Sequence, residues 1–124
     1  MKKAILTLLL AAMSTGALAE WVKVAETKID FLYFDPTTIR NNGNMRRVWE
    51  LQDLKQGTQT GIMSVRALSE YDCKEERFRT LSVTTHSEPM AVGRALDSGD
   101  LSGKWHDVPP SSIVSVVFKA VCAK

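Results

Sequence analysis

From Met63 to Cys73 the chain sets Met63, Val65, Ala67, Ser69, Tyr71 and Cys73 on one side of an extended backbone. Ser64, Arg66, Glu70 and Asp72 fall on the other. A period of two marks a strand with one buried face, and it turns Cys73 inward at the end of a buried row. The same reading makes "WVKVAET" (21–27) a short strand, with Trp21, Lys23 and Ala25 opposed to Val22, Val24 and Glu26. "KIDFLYFD" (28–35) is aromatic-rich and β-prone, and Asp35-Pro36 breaks it into a turn with room for a single helical turn. Asn41-Asn42-Gly43-Asn44 then signals a hairpin, since Asn and Gly adopt positive φ at low cost.

"MRRVWELQDL" (45–54) is the returning strand, with Arg47, Trp49 and Leu51 on one face and Arg46, Val48 and Glu50 on the other. "ERFRTLSVTTHS" (76–87) pairs with its predecessor across the tight "CKEE" connection and stops at Pro89; "AVGRALDS" (91–98) is the last, short strand. The loop "GDLSGKWHDVPP" follows, with Trp105 as its anchor to the body.

Residues 111–122, "SSIVSVVFKAVC", fit two patterns. As a helix they carry a stripe of Ile113, Val116, Val117, Ala120 and Val121, with Ser115 and Lys119 four apart and Ser111 or Ser112 as N-cap. As a strand, Val114, Val116, Phe118, Ala120 and Cys122 form one apolar row. The cap and the polar pair incline the reading to helix. The expected fold class is α+β: an antiparallel β-sheet of about five or six strands with a C-terminal α-helix packed on it.

The opening "MKKAILTLLLAAMSTGALAEW" has the tripartite form of an export signal, ending in Ala17-Leu18-Ala19 with small residues at −3 and −1 of a cut between Ala19 and Glu20. Its apolar run is interrupted by Ser14, Thr15 and Gly16, short of the about 20 residues that span a bilayer, so no membrane anchor is expected after cleavage. No cysteine lies beside the cut to accept a lipid. Residues 1–19 are therefore read as a cleaved signal and 20–124 as one domain, periplasmic or secreted. Lys2 and Lys3 account for the whole formal charge of +2, so the remaining chain is neutral. Neutrality argues against nucleic acid as a partner, because such binding rests on neutralising many phosphates.

Compartment decides the role of the two cysteines. In an oxidising environment a pair of cysteines in a small domain forms a bridge, and Cys73 with Cys122 is that pair. A loop of this length gains roughly 4 kcal/mol in the chain-entropy account. Two sulfurs and the distant His86 and His106 do not make a metal set. No G-x-S-x-G, H-E-x-x-H, P-loop or dinucleotide glycine pattern occurs. His106-Asp107 beside Ser102 or Ser111 is a loop of common residues, and Glu75-Glu76 a solvated turn. No catalytic residue, no metal and no cofactor are expected, and the chain is not read as an enzyme. Arg46, Arg47, Arg66, Arg77 and Arg79 lie on neighbouring strands, and Arg46, Arg66, Arg77 and Arg79 are the candidate strip for an anionic protein or glycan partner. Cross-strand pairing with Glu50, Glu70, Asp72 and Glu76 is the reading that the sequence favours over such a strip.

Five ordered elements carry a resemblance. They are Tyr33-Phe34-Asp35-Pro36-Thr37-Thr38-Ile39, Val48-Trp49-Glu50-Leu51-Gln52-Asp53, Ser64 with Glu70-Tyr71-Asp72-Cys73, Trp105-His106-Asp107-Val108-Pro109-Pro110-Ser111-Ser112, and the late Cys122. Together they resemble the surface-adhesin protein E family of Gram-negative bacteria. The resemblance implies an antiparallel sheet with a C-terminal helix, bridged cysteines, and a non-enzymatic domain that contacts host matrix or plasma proteins or a periplasmic protein. Inhibition of a lysozyme-type enzyme, through the basic loop "LSGKW", is the alternative function.

Overall fold

The computed structural model describes residues 19–124; the expected signal, up to Leu18, lies outside the described residues. Its strands are β1 (Val22–Glu26), β2 (Asp30–Phe34), β3 (Arg40–Asn42), β4 (Met45–Leu54), β5 (Ser64–Asp72), β6 (Arg77–His86), β7 (Ala95–Asp100) and β8 (His106–Asp107), followed by helix α1 (Ile113–Cys122). The strands form one eight-stranded antiparallel sheet in the order β1-β2-β4-β5-β6-β7. Beside β2, β3 pairs with the first residues of β4, and β8 pairs with the first residues of β6. These two short strands raise the count above the five or six main strands that the alternation shows.

Local chemistry sets the turns. Asp35 caps the 3-10 turn Pro36–Thr38, its carboxylate accepting from the Thr37 N–H at 3.0 Å. Gly43, at φ +59°, opens the two-residue loop between the paired Asn42 and Met45, a position at which a Cβ would be strained. The strand expected over 91–98 starts at Ala95 instead. Pro89–Ala91 forms a 3-10 turn and Gly93 has φ +75°, so the chain bends before it extends, and pairing runs on to Asp100. In β1 a register shift between Lys23 and Ala25 interrupts the alternation, and Val24 packs against the core.

The core lies between α1 and one face of the sheet. Phe34, Val48, Tyr71, Val117, Phe118 and Val121 are its buried members. The helix packs on β1, β4 and β5. Ser112 is its N-cap, accepting from the Ser115 N–H at 3.1 Å, and Lys119 sits in the last turn, where a cation suits the carbonyl end.

Its rotation differs from the apolar stripe read from the sequence. Val117, Phe118 and Val121 are buried, whereas Ile113 and Val116 are 41% and 42% exposed. Cys122 is bridged to Cys73 at the end of β5, with a Cα–Cα distance of 5.8 Å. A residue four back and one seven back share its helical face, which turns Phe118 and Ser115 toward the sheet. Ser115 tolerates burial because its hydroxyl donates to the Ser112 carbonyl at 2.6 Å. The covalent tie, together with the bulk of Phe118, outweighs the finer apolar periodicity.

The bridge closes a sequence separation of 49 residues, and the double variant Cys73→Ser, Cys122→Ser is expected to lose about 4 kcal/mol of unfolding free energy. Urea titration of parent and variant reads this directly. Coincident midpoints would mean that the helix is held without the bridge.

Candidate functional site

Alternation sorts the charged strands between two environments. On β5, Val65, Ala67, Ser69 and Tyr71 face the helix, and Ser64, Arg66, Leu68, Glu70 and Asp72 face away. Register carries the second set onto Arg47, Trp49, Leu51 and Asp53 of β4 and onto Arg77 and Arg79 of β6. Arg66, Arg77 and Arg79 therefore share the helix-free face. Arg46, the fourth member of the candidate strip, pairs with Tyr71 and lies on the other side. Its Nη1 donates to the carbonyls of Gly43 and Met45 at 2.8 and 3.0 Å, fastening the hairpin.

Two of the three remaining arginines are neutralised in place. The buried Glu70 accepts from Arg79 Nε at 2.9 Å and Nη2 at 2.5 Å, and from Arg47 Nη2 at 3.4 Å. Arg77 donates to Asp72 at 3.2 Å, and the Asp72 carboxylate also takes the N–H groups of Lys74 and Glu75. Both guanidinium groups lie over the indole of Trp105, Arg79 at 4.5 Å and Arg77 at 5.1 Å, which anchors the long loop. Gly103 of that loop packs beneath Leu81 and Arg79, and Lys104 is exposed. Of the four acids weighed as partners, Glu70 and Asp72 make these pairs. Glu50 faces the helix.

Arg66 is different. Its guanidinium stacks 3.8 Å over Trp49, and no carboxylate of the described residues pairs with it. It borders a depression of about 480 Å3 lined by Ala19, Trp21, His86, Met90, Ala91 and Val92. Both ring nitrogens of His86 are buried and lack a hydrogen-bond partner among the described residues. The rim is strained: Met90 and Ala91 hold φ of 61° and 57°, a left-handed conformation that costs about 1–2 kcal/mol for each such residue. Asp53 and Ser64 impose it. Asp53 Oδ1 accepts from the Met90 N–H at 2.8 Å, and Ser64 Oγ accepts from the Ala91 N–H at 2.8 Å while donating to the Glu88 carbonyl at 2.6 Å. Val92, 59% exposed, stands at the end of this turn.

The helix side holds an apolar cleft of about 210 Å3, between Leu32, Val65, Ala67 and the first turn of α1. Glu50 is its one ionisable carboxyl, and the Tyr71 hydroxyl donates to it. Burial pushes the Glu50 carboxyl above its ordinary 4.5, against hydrogen bonds from Ser69 and Tyr71 that favour the anion. Burial, then the Glu50 charge, raises the Tyr71 phenol well above 10.0. Asp72 moves the other way. The Glu75 N–H, then Arg77 and the Lys74 N–H, hold it below 3.8 against its burial.

His106 and Asp107 occupy successive positions of β8, opposite Phe78 and Arg77. Successive strand residues point to opposite faces, so one does not orient the other as a catalytic base. Among the described residues no group of three or more His, Cys, Asp and Glu is arranged to hold a metal, and no helix is long and apolar enough to cross a membrane.

The family model for surface-adhesin protein E matches residues 21–123. The chain belongs to that family. Among solved structures, protein E from non-typeable Haemophilus influenzae is similar over 88% of this chain and 79% of that one, with a TM-score of 0.68 and 13% identity. A second crystal form of Haemophilus influenzae protein E gives 0.67 and 14% identity over 88% and 91% of the two chains. A comparison with curated protein sequences returned no significant match.

The residues that carry the protein E resemblance are engaged in building the fold. Asp35 caps a turn, Val48 and Tyr71 fill the core, Asp53 and Ser64 hold the strained rim, Glu70 and Asp72 clamp arginines, and Ser112 caps α1. The protein E motif thus marks a scaffold. Trp21, His86 and Val92 at the depression, and Trp49 beneath Arg66, were not legible as a site in the sequence, because only strand register shows which residues share a face with Arg66.

Glu50 supplies a sign test. A carboxyl whose folded pKa is raised binds its proton more tightly folded than unfolded, so stability falls as pH rises from 4.5 through the folded value. Glu50→Gln should therefore melt above the parent near neutral pH and together with it at about pH 4. Asp72→Asn should do the reverse, losing stability above 3.8, with the gap closing as pH falls through the lowered folded value. Thermal melts across pH read both, and a Glu50→Gln variant less stable than the parent at neutral pH would contradict the assignment.

Proposed function

We propose that this chain is an exported, non-enzymatic binding domain that engages a protein partner through its helix-free face, at the depression beside Arg66. Membership of the surface-adhesin protein E family supports adhesion as the kind of work done. The observation that carries the site is the Arg66–Trp49 stack: a guanidinium held in place at 3.8 Å whose charge no carboxylate of the described residues takes up. A stacked arginine keeps its donors available in a fixed fork that suits a carboxylate. The exposed Val92 and the neighbouring Trp21 supply apolar and aromatic contact beside it. The fitting ligand is an acidic segment with an apolar flank, on a host matrix or plasma protein or on a periplasmic one.

Arg77 and Arg79 contribute less to such a contact, since their charges are already met by Asp72 and Glu70. Arg46 contributes nothing to it from the opposite side of the sheet.

Retention on immobilised vitronectin or laminin, and capture from periplasmic extract, distinguish the two sources of partner. Arg66→Ala is expected to weaken the retained interaction about tenfold or more, as truncating a central interface arginine does, and Arg46→Ala to leave it unchanged. Equal loss from both variants, or none from Arg66→Ala, would reject the site. Absence of retention on either matrix protein would reject the host-adhesion part of the reading.

A further inference from the structure

We propose that Asp35 is the receptor for the α-amino group created when the chain is cut between Ala19 and Glu20, so that processing completes an ion pair at a buried carboxylate. The inference rests on that cut and is independent of which partner the domain binds. Asp35 is 2% exposed, yet none of the ion pairs among the described residues includes it. One carboxylate oxygen is occupied: Oδ1 accepts from the Thr37 N–H at 3.0 Å and from the Thr37 hydroxyl at 2.5 Å. The other, Oδ2, accepts from the backbone N–H of Glu20 at 3.1 Å. A buried carboxylate is stabilised far better by a cation than by a neutral amide.

Hydrolysis of the Ala19–Glu20 bond supplies that cation without moving an atom far. Water adds across the peptide bond; the Ala19 carbonyl carbon leaves as the carboxylate of the released leader. The Glu20 nitrogen, relieved of its acyl group, takes up protons to become an ammonium. The neutral donor 3.1 Å from Oδ2 is thus replaced by a positive one at the same place. Ala19 and Glu20 are both exposed, which leaves the bond open to a peptidase while its nitrogen reaches Asp35. Asp35 is itself immobilised, because its N–H donates to the Trp49 carbonyl at 3.0 Å and Thr38, on the turn that it caps, accepts from the Trp49 N–H at 3.1 Å. The pair would therefore fasten the entry to β1, an edge strand on which α1 packs, to the middle of β4.

Three chains test this: one beginning at Glu20 with a free amine, the same chain Nα-acetylated, and one extended by two residues before Ala19, each also as Asp35→Asn. Mass spectrometry of exported protein should show a first residue of Glu20; another start overturns the proposal. The free-amine chain is expected to melt at least about 4 °C above the acetylated and extended forms, the shift that a single such interaction gives a domain of this size. In Asp35→Asn the difference should vanish, since an amide offers the ammonium no negative charge. Equal melting of the free and acetylated chains refutes the ion pair, and so does a difference that survives Asp35→Asn. Should Asp35→Asn fail to fold, the comparison of free and acetylated chains with Asp35 intact decides alone.

Discussion

The bond between Cys73 and Cys122 joins the end of a central strand to the end of the helix, and the arrangement of the core follows from it. With that contact fixed, helical geometry turns Phe118 and Ser115 toward the sheet and leaves Ile113 and Val116 outside. The apolar cleft then opens where the first turn of α1 passes over Leu32 and Val65. A helix free to follow its own apolar stripe would face the sheet with a different set of side chains. Leaving Ile113 and Val116 partly exposed forgoes part of the about 1.5–3 kcal/mol that full burial of each gives, and the bridge together with the burial of Phe118 offsets that loss.

The two faces of the sheet handle charge in contrasting ways. Away from the helix, Glu70 and Asp72 are buried beneath guanidinium groups that remain partly in water, so each acid has its counter-ion at hand. Toward the helix, Glu50 has the hydroxyls of Ser69 and Tyr71 as its partners among the described residues, and burial favours its neutral form. One sheet thus carries an ionised network on one side and a carboxyl inclined to keep its proton on the other, separated by the thickness of a strand. Arg66 stands apart from both arrangements, its cation met among the described residues by an indole and by no carboxylate.

Most of the architecture was legible in the residues. Period-two alternation gave β5 and its inward Cys73, Asn-Gly gave the hairpin, and Asp35-Pro36 gave the turn. Sequence misplaced the start of β7, because Gly93 and the left-handed Met90 and Ala91 bend the chain there, the last two held by bonds from Asp53 and Ser64, far away along the chain. The candidate strip was legible only in part. Arg66, Arg77 and Arg79 do share a face, but which of them keeps an available charge depends on cross-strand register, and the parity of Arg46 sends it to the opposite side. The aromatic partners were out of reach for the same reason: Trp49 and Trp105 meet their arginines across strands and loops, not along the sequence.

The position of α1 after every strand has a temporal corollary. A polypeptide delivered amino end first, from a ribosome or through a pore, presents the whole pleated surface before the segment that roofs it. Val48 and Tyr71 must wait, uncovered, for that roof, and the sulfur of Cys73 must wait for its mate. In that order of delivery the bond between Cys73 and Cys122 can form only after every strand has emerged.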